Sequence, residues 1–94
     1  MPETTALVAT ENASRYLQQL CKHFGHKVDV QFTPDAGTVS LPFGTCELTA
    51  NDKQLTLKGS ANPAQLSKME RFIGDHLARF AFRENPTITW QRSA

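Results

Sequence analysis

The sequence predicts a small α+β domain, a two-layer sandwich in which two helices cover one face of an antiparallel sheet of roughly five to six strands. Three observations predict this fold. Two segments repeat apolar residues at helical spacing, the segments between them alternate apolar with polar residues, and the remaining strand positions are polar. Because an antiparallel sheet with one solvated face alternates in this way, both helices are expected on the same side.

The first helix is predicted over residues 13–24, after a short β-leaning segment at residues 5–10. Thr10 or Asn12 is expected to cap its start. Its apolar residues share one face and polar side chains lie opposite. The apolar set is Ala13, Tyr16, Leu17, Leu20, Cys21 and Phe24. Gly25 comes next, which predicts a left-handed residue at the end of the helix.

Four strands are predicted to follow as an antiparallel meander. Apolar residues alternate within residues 28–32, 39–43, 46–50 and 55–57, and turn-forming residues separate these segments. Short connections join antiparallel neighbours, so strands that follow one another in the chain are expected to pair. The intervening polar residues predict one face open to water.

The second helix is predicted to begin at Asn62 and Pro63, a cap followed by a proline at the first helical position. Its apolar face consists of Leu66, Met69, Phe72, Ile73, Leu77 and Phe80. The helix is expected to fray near Phe82, and a last strand is predicted over residues 87–90. The resulting order, β-α-β-β-β-β-α-β, resembles the TATA-binding-protein-like arrangement with one strand added.

Residues 1–94 are expected to form one domain, because a chain of this length supports a single core. Lysine and arginine number 10 against 9 aspartates and glutamates, without a run of either sign, so nucleic acid is not an expected partner. No apolar stretch approaches the roughly 20 residues that span a bilayer, and the first residues lack a secretion signal. We therefore expect a cytoplasmic protein with no membrane partner and with its two cysteines as thiols.

His76 is the residue that fits its predicted position least, because it lies within the apolar face of the second helix. Arg79 and Arg83 follow three and seven positions later along the same ridge. A buried arginine needs a carboxylate, a carbonyl group or an anionic ligand. Three interpretations stay open. Glu84, Glu47 or a helix carbonyl satisfies these side chains, or together they hold a small anionic or metal-bearing ligand, or the helix is phased differently from the prediction.

A second group of candidate residues surrounds the end of the first helix, where Cys21, His23 and His26 occur within one short segment. Imidazole and thiolate groups are the usual ligands of zinc, copper and iron. Cations also favour a helix C-terminus for electrostatic reasons alone. The segment is therefore either a charged helix end or a metal site completed by another part of the chain, holding iron or zinc.

Cys46 shares its predicted strand face with Leu48, which is typical of a small core residue. The alternative gives it a place in a ligand site between the end of the first helix, the turn at residues 42–46 and the ridge of His76. A thiol-dependent enzyme would use Cys46 or Cys21 together with a histidine. No nucleophile elbow and no phosphate-binding glycine loop supports an enzyme, and the sequence requires no cofactor.

Three stretches and one further residue carry a family resemblance: NASRYLQQLCKHF at residues 12–24, PFGTC at 42–46, HLARFAFRE at 76–84, and Trp90. Together they resemble the bacterial family called domain of unknown function 2218, over nearly the whole chain. That family brings no established activity or catalytic residues. The resemblance implies an iron-uptake context, with a siderophore-interacting flavin reductase as a partner.

The sequence therefore predicts a binding or accessory module of uncharacterised function, linked through the resemblance to iron or siderophore handling. An alternative is a homodimeric interaction protein without a small-molecule ligand. Its threonine-rich sheet face or an edge strand would pair with a second copy.

Overall fold

The strands and helices follow the predicted order in the computed structural model, which describes residues 2–93. The strands are β1 (Glu3–Ala9), β2 (Asp29–Phe32), β3 (Ala36–Leu41), β4 (Gly44–Ala50), β5 (Gln54–Ala61) and β6 (Trp90–Ser93). The helices are α1 (Ala13–Phe24) and α2 (Leu66–Phe80), and a short 3₁₀ turn (Pro63–Gln65) precedes α2. The predicted α+β order is confirmed.

The six strands form one antiparallel sheet in the order β2-β3-β4-β5-β1-β6. Strands β2 to β5 are the predicted meander. The first strand then pairs with β5 on one side and with β6 on the other, so that Glu3 lies opposite both Ser60 and Ser93. The first and last strands are therefore neighbours at one edge of the sheet.

The core lies between the helices and one face of the sheet. In β4, Cys46 and Leu48 are buried beneath the helices, whereas Glu47 and Thr49 on the other face are exposed. The largest fully buried side chains come from both layers, for example Leu17 in α1 and Leu48 in β4. Burying an aliphatic side chain of this size contributes about 1.5–3 kcal/mol, which holds the helices on this face.

Gly44 allows the corner between β3 and β4 to approach the rest of the fold closely. A Cβ atom at this position would collide with the carbonyl oxygen of Ser60, and it would come within 2.9 Å of the Met69 Cε atom. The adjoining residue Phe43 is therefore held against α2.

The end of α1 differs from the prediction, because Gly25 has a right-handed conformation with φ −62°. Its N–H donates to the Cys21 carbonyl at 2.9 Å, and the N–H of Val28 donates to the Phe24 carbonyl at 2.9 Å. The chain thus continues in tight turns through residue 28. Because the backbone turns on after Phe24 without reversing its hand at Gly25, this helix end does not need a left-handed residue.

The predicted helix caps were also wrong in detail. Neither Asn12 nor Asn62 caps its helix through its side chain, and Pro63 begins the 3₁₀ turn, so that α2 starts at Leu66. Thr10 accepts a hydrogen bond from the Asn12 N–H at 3.0 Å, but its own hydroxyl donates to Glu84.

The last strand begins at Trp90 instead of residue 87, because its position is set by pairing with β1. Arg92 strengthens this pairing: its Nε donates to Glu70 of α2 at 3.0 Å. Among residues 2–93, no helix is long and apolar enough to cross a bilayer.

Candidate functional site

A cluster of aromatic rings joins the end of α1, the β3–β4 corner and the middle of α2. Phe24 and Phe72 stack with ring centroids 5.3 Å apart. Phe43 meets Phe72 edge to face, at 5.9 Å and 87°. Offset and edge-to-face pairs of this kind contribute about 0.5–1.5 kcal/mol beyond the burial of their surface. The cluster therefore holds the three elements together at this end of the molecule.

Two histidines lie beside these rings, one from each helix. The ring centroids of His23 and His76 are 5.1 Å apart. His76 is half-buried and contacts both Phe24 and Phe72, with centroid distances of 5.0 and 4.7 Å. His23 is exposed at the edge of the cluster and also contacts Phe80 at 5.8 Å. The fold thus pairs two imidazoles that are far apart in the sequence.

The orientation of His76 is fixed by a hydrogen bond to its own helix. Its Nδ1 atom lies 2.7 Å from the carbonyl oxygen of Phe72. Since a carbonyl oxygen only accepts, Nδ1 must carry the proton. In the neutral ring, Nε2 then has the free lone pair, and in the protonated ring it becomes a second donor.

A cavity of about 200 Å³ opens beside the two histidines, and we call it the aromatic-histidine cleft. Its walls are mostly apolar, and its polar side chains are two imidazoles and one lysine. It is lined by His23, Phe24, Lys27, Val28, Leu41, Pro42, Phe43, Phe72 and His76. No aspartate or glutamate belongs to this lining, so an anionic group meets no carboxylate in the cleft.

A second, more open cavity of about 560 Å³ lies on the other side of Phe72 and His76, and we call it the outer groove. It is more polar, with Lys68, Arg71 and Asp75 among its lining residues. The Lys68 ammonium lies 4.6 Å from the centroid of the Phe43 ring. Phe72 and His76 therefore form a partition between an apolar cavity and a charged one.

The electrostatic environment favours the neutral form of His23. Protein atoms packed against the ring lower its pKa below the usual value of 6.5, and the positive charges of His76, Lys27 and, to a smaller extent, Arg79 act in the same direction. A bound anion would have the opposite effect. The protonation of His23 is thus coupled to whatever charge occupies the cleft.

A comparison with protein-family models identifies the family of this chain. The model of the family described as "Uncharacterized protein conserved in bacteria (DUF2218)" matches residues 5–91. The chain belongs to this family. The DUF2218 domain is also similar to the NMR structure of PA4090 from Pseudomonas aeruginosa, with 37% identity and a TM-score of 0.81 over 97% of this chain and 96% of that one. No curated protein matches it.

The two cysteines of this DUF2218 domain lie in the core as free thiols, away from the cleft. The Cys21 sulfur faces β3, where a Cβ added to Gly37 would come within 2.8 Å of it. Burial raises the pKa of Cys21 to about 11 and that of Cys46 to about 12. Cys21 is therefore not brought together with His23, and Cys46 is not part of the cleft lining.

The arginines and the third histidine predicted as site residues are exposed. Since α2 ends at Phe80, Arg83 lies beyond the helix, and the predicted ridge from His76 to Arg83 is interrupted. The guanidinium of Arg83 is 5.8 Å from the Phe82 ring centroid. His26 lies in the turn after α1. Within residues 2–93, no three His, Cys, Asp or Glu side chains are grouped closely enough to hold a metal.

The sequence indicates Glu84 as a candidate partner of Arg79 and Arg83, but in the structure Glu84 is hydrogen-bonded to other residues. Its carboxylate accepts hydrogen bonds from the Thr10 and Tyr16 hydroxyls, each at 2.7 Å, and from the Asn12 amide at 3.0 Å. These bonds, chiefly the one from Tyr16, lower the pKa of Glu84. We call this group the Glu84 knot; it ties the start of α1 to the turn after α2.

Sequence reasoning missed Phe43, Phe72 and Lys27 as site residues. Phe43 lies in the PFGTC motif that carries the family resemblance, which was a usable signal. Phe72 was assigned to the core because it falls on the apolar face of α2. Its ring is only half-buried, since it extends over the cleft instead of the sheet.

Proposed function

We propose that this domain is a non-catalytic binding module whose site is the aromatic-histidine cleft. The observation that carries the proposal is a preformed cavity of about 200 Å³ with apolar walls and a few nitrogen bases. Small-molecule sites typically combine apolar lining with a small number of placed polar groups. The fixed Nε2 of His76 supplies such a group, because its ring is already oriented by the Phe72 carbonyl.

A binding role agrees with the burial of both cysteines. A nucleophilic thiol needs exposure and a lowered pKa, whereas burial raises the pKa of both thiols here. The two imidazoles supply bases without a neighbouring nucleophile in the cleft lining. The arrangement supports retention of a ligand more than its chemical conversion.

The iron hypothesis enters this proposal through the family resemblance. A metal bound at the cleft would use His23 and Nε2 of His76 and would take its remaining ligands from the bound molecule. A complete ferric siderophore is larger than the cleft, so one arm of it would enter. Arg79 and Lys68, near the cleft, suit the oxygen-rich surface of such a complex.

A titration of the full chain, purified without a chelator, tests the proposal. Its metal content is measured first, and ¹⁵N-labelled protein is then titrated with ferrous, ferric and zinc ions, a ferric siderophore and a set of single-ring compounds of each charge. We expect saturable shifts of the Phe24, Phe43 and Phe72 amides with at least one of them. His23→Ala and His76→Ala should weaken that binding, whereas His26→Ala, outside the cleft lining, should not.

Complete silence of those amides with every compound would contradict the proposal. Equal binding by the His26→Ala and His76→Ala variants would place the ligand elsewhere on the domain. Stoichiometric binding of iron that requires both His23 and His76 would support the iron-handling form of the hypothesis.

A homodimeric interaction protein is the second candidate, and one observation favours it. Strand β2 forms an edge of the sheet, and Phe32 at its end is 38% exposed. Edge strands present unpaired backbone groups that can pair with a second copy. A monomeric mass by light scattering at high micromolar concentration would contradict this candidate.

A further inference from the structure

The aromatic-histidine cleft has an apolar floor and a basic mouth. Phe24 at the floor is 3% exposed. His23 and Lys27 are exposed, and His76 lies half-buried between the two levels. A ligand in this cleft therefore places its apolar part inward and its polar part outward, because a polar group at the floor would lose water without gaining a partner.

The volume of the cleft sets the size of the ligand. An apolar cavity of about 150 Å³ holds benzene, and the cleft measures about 200 Å³. One ring with a short side chain, about ten non-hydrogen atoms, fills such a space. Phe43 and Phe72 stand edge to face at 87°, which offers a ring both a face and an edge to pack against.

The charges at the mouth select the polar group of the ligand. Lys27 brings three N–H donors, and the two imidazoles add donors when they are protonated. No carboxylate lines the cleft. Asp75 lines the outer groove together with Arg71 and is not part of the cleft lining. A carboxylate at the mouth gains a charge-assisted hydrogen bond from Lys27, whereas an ammonium group meets the like charge of Lys27 and no carboxylate.

We infer that the cleft binds a compact aryl carboxylate, which is one aromatic ring carrying a carboxylate on a short linker. The ring packs against Phe43 and Phe72, and the carboxylate lies at the mouth beside Lys27, His23 and Nε2 of His76. This inference rests on the proposed function and adds the chemical class of its ligand.

Three probes of nearly equal size test the inference: phenylacetate, phenylacetamide and phenethylamine, which are anionic, neutral and cationic. Each is titrated into the ¹⁵N-labelled full chain at low salt. We expect phenylacetate to shift the cleft amides with a Kd between tens of micromolar and about 1 mM. It should bind about fivefold more tightly than phenylacetamide, and phenethylamine should bind least.

Matched lysine variants separate the mouth from general charge effects. Lys27→Met should reduce the preference for phenylacetate over phenylacetamide, because it removes a charge from the cleft lining. Lys22→Met removes an exposed charge from α1 outside that lining and should leave the preference unchanged. Both variants should keep a dispersed amide spectrum, since both side chains are exposed.

Equal affinity for phenylacetate and phenylacetamide would overturn the aryl carboxylate while leaving a binding module at the cleft. The aryl carboxylate is overturned in the same way if none of the three probes shifts the cleft amides but a metal ion or siderophore does. Silence with these probes and with every compound of the wider titration would overturn both the inference and the proposed function.

Discussion

The two ends of the helix layer connect α1 to the chain around α2 in opposite ways. At the start of α1, the Glu84 knot joins three side-chain donors to one carboxylate, so these polar groups are paired with one another. At the end of α1, rings make the connection, and a cavity remains beside two imidazoles. The knot uses its polar groups for stability, whereas the cleft leaves Nε2 of His76 without a protein partner among the described residues. Binding capacity is expected where polar groups remain available.

The largest expected effect breaks the knot. Glu84→Ala leaves the Thr10 and Tyr16 hydroxyls without their acceptor, and both residues are buried. We expect a loss of about 2 kcal/mol in the free energy of unfolding, or about 10 °C in melting temperature. Calorimetric melting measures it, and ligand binding at the cleft should stay unchanged. Glu11→Ala removes an exposed carboxylate between Thr10 and Asn12, serves as the control and should melt within about 0.5 kcal/mol of the wild type.

Acid should weaken the knot, and Glu70, whose pKa is lowered chiefly by its hydrogen bond with Arg92, should add to the loss of stability at low pH. Because hydrogen bonds lower the folded-state pKa of Glu84, its stabilisation is fully present above the unfolded-state pKa of about 4.3 and is lost as pH falls through the folded-state value. The melting temperature of the wild type should therefore fall between pH 5 and pH 3, measured in steps of roughly half a unit. Glu84→Gln should flatten this part of the profile. An unchanged slope in that variant would show that other carboxylates govern acid unfolding.

A substitution in the cleft should have the opposite result: it should weaken ligand binding and change the free energy of unfolding little. Phe43→Ala removes one wall of the cavity, and since the ring is half-buried we expect a cost of about 1 kcal/mol. Binding of an aromatic ligand should fall roughly two- to tenfold, because the ligand ring loses an aromatic contact worth about 0.5–1.5 kcal/mol. Titration and melting are measured on the same sample. Phe82→Ala, at a ring that is 69% exposed, should change neither.

The pH dependence of binding should come from His23. An anion in the cleft favours the imidazolium form, whereas burial and the charges of His76, Lys27, His26 and Arg79 lower the pKa of the free site. Affinity for a carboxylate should therefore rise as pH falls from about 8 to about 5.5, a range in which the carboxylate itself stays ionised. Calorimetric titration at several pH values measures this. His23→Gln should reduce the slope; a slope that persists fully would assign it to His76 or His26.

The smallest expected effect is at the cysteines, which lie in the core and belong neither to the knot nor to the cleft lining. Burial raises the pKa of Cys21 to about 11 and that of Cys46 to about 12, so both thiols should resist a thiol reagent at neutral pH while the protein is folded. Both should react in denaturant. Fast reaction of either thiol in the folded protein would revive a thiol-dependent enzyme.

The sequence predicted the layers and the meander because periodicity reports which face of each element is buried. It missed the conformation of Gly25 and the start of β6, which depend on where the chain goes next and on pairing with β1. For the site, His76 stood out as a polar residue on an apolar face. Its pairing with His23 was not predictable, because that contact depends on how two helices cross.

The adjacency of β1 and β6 has a consequence for larger architectures. Glu3 and Ser93 face each other across these strands, so both connections to any flanking polypeptide would leave from one edge of the sheet. A domain with adjacent termini can be inserted into a loop of another protein, or joined to one end of it, without moving the flanking segments of that protein apart.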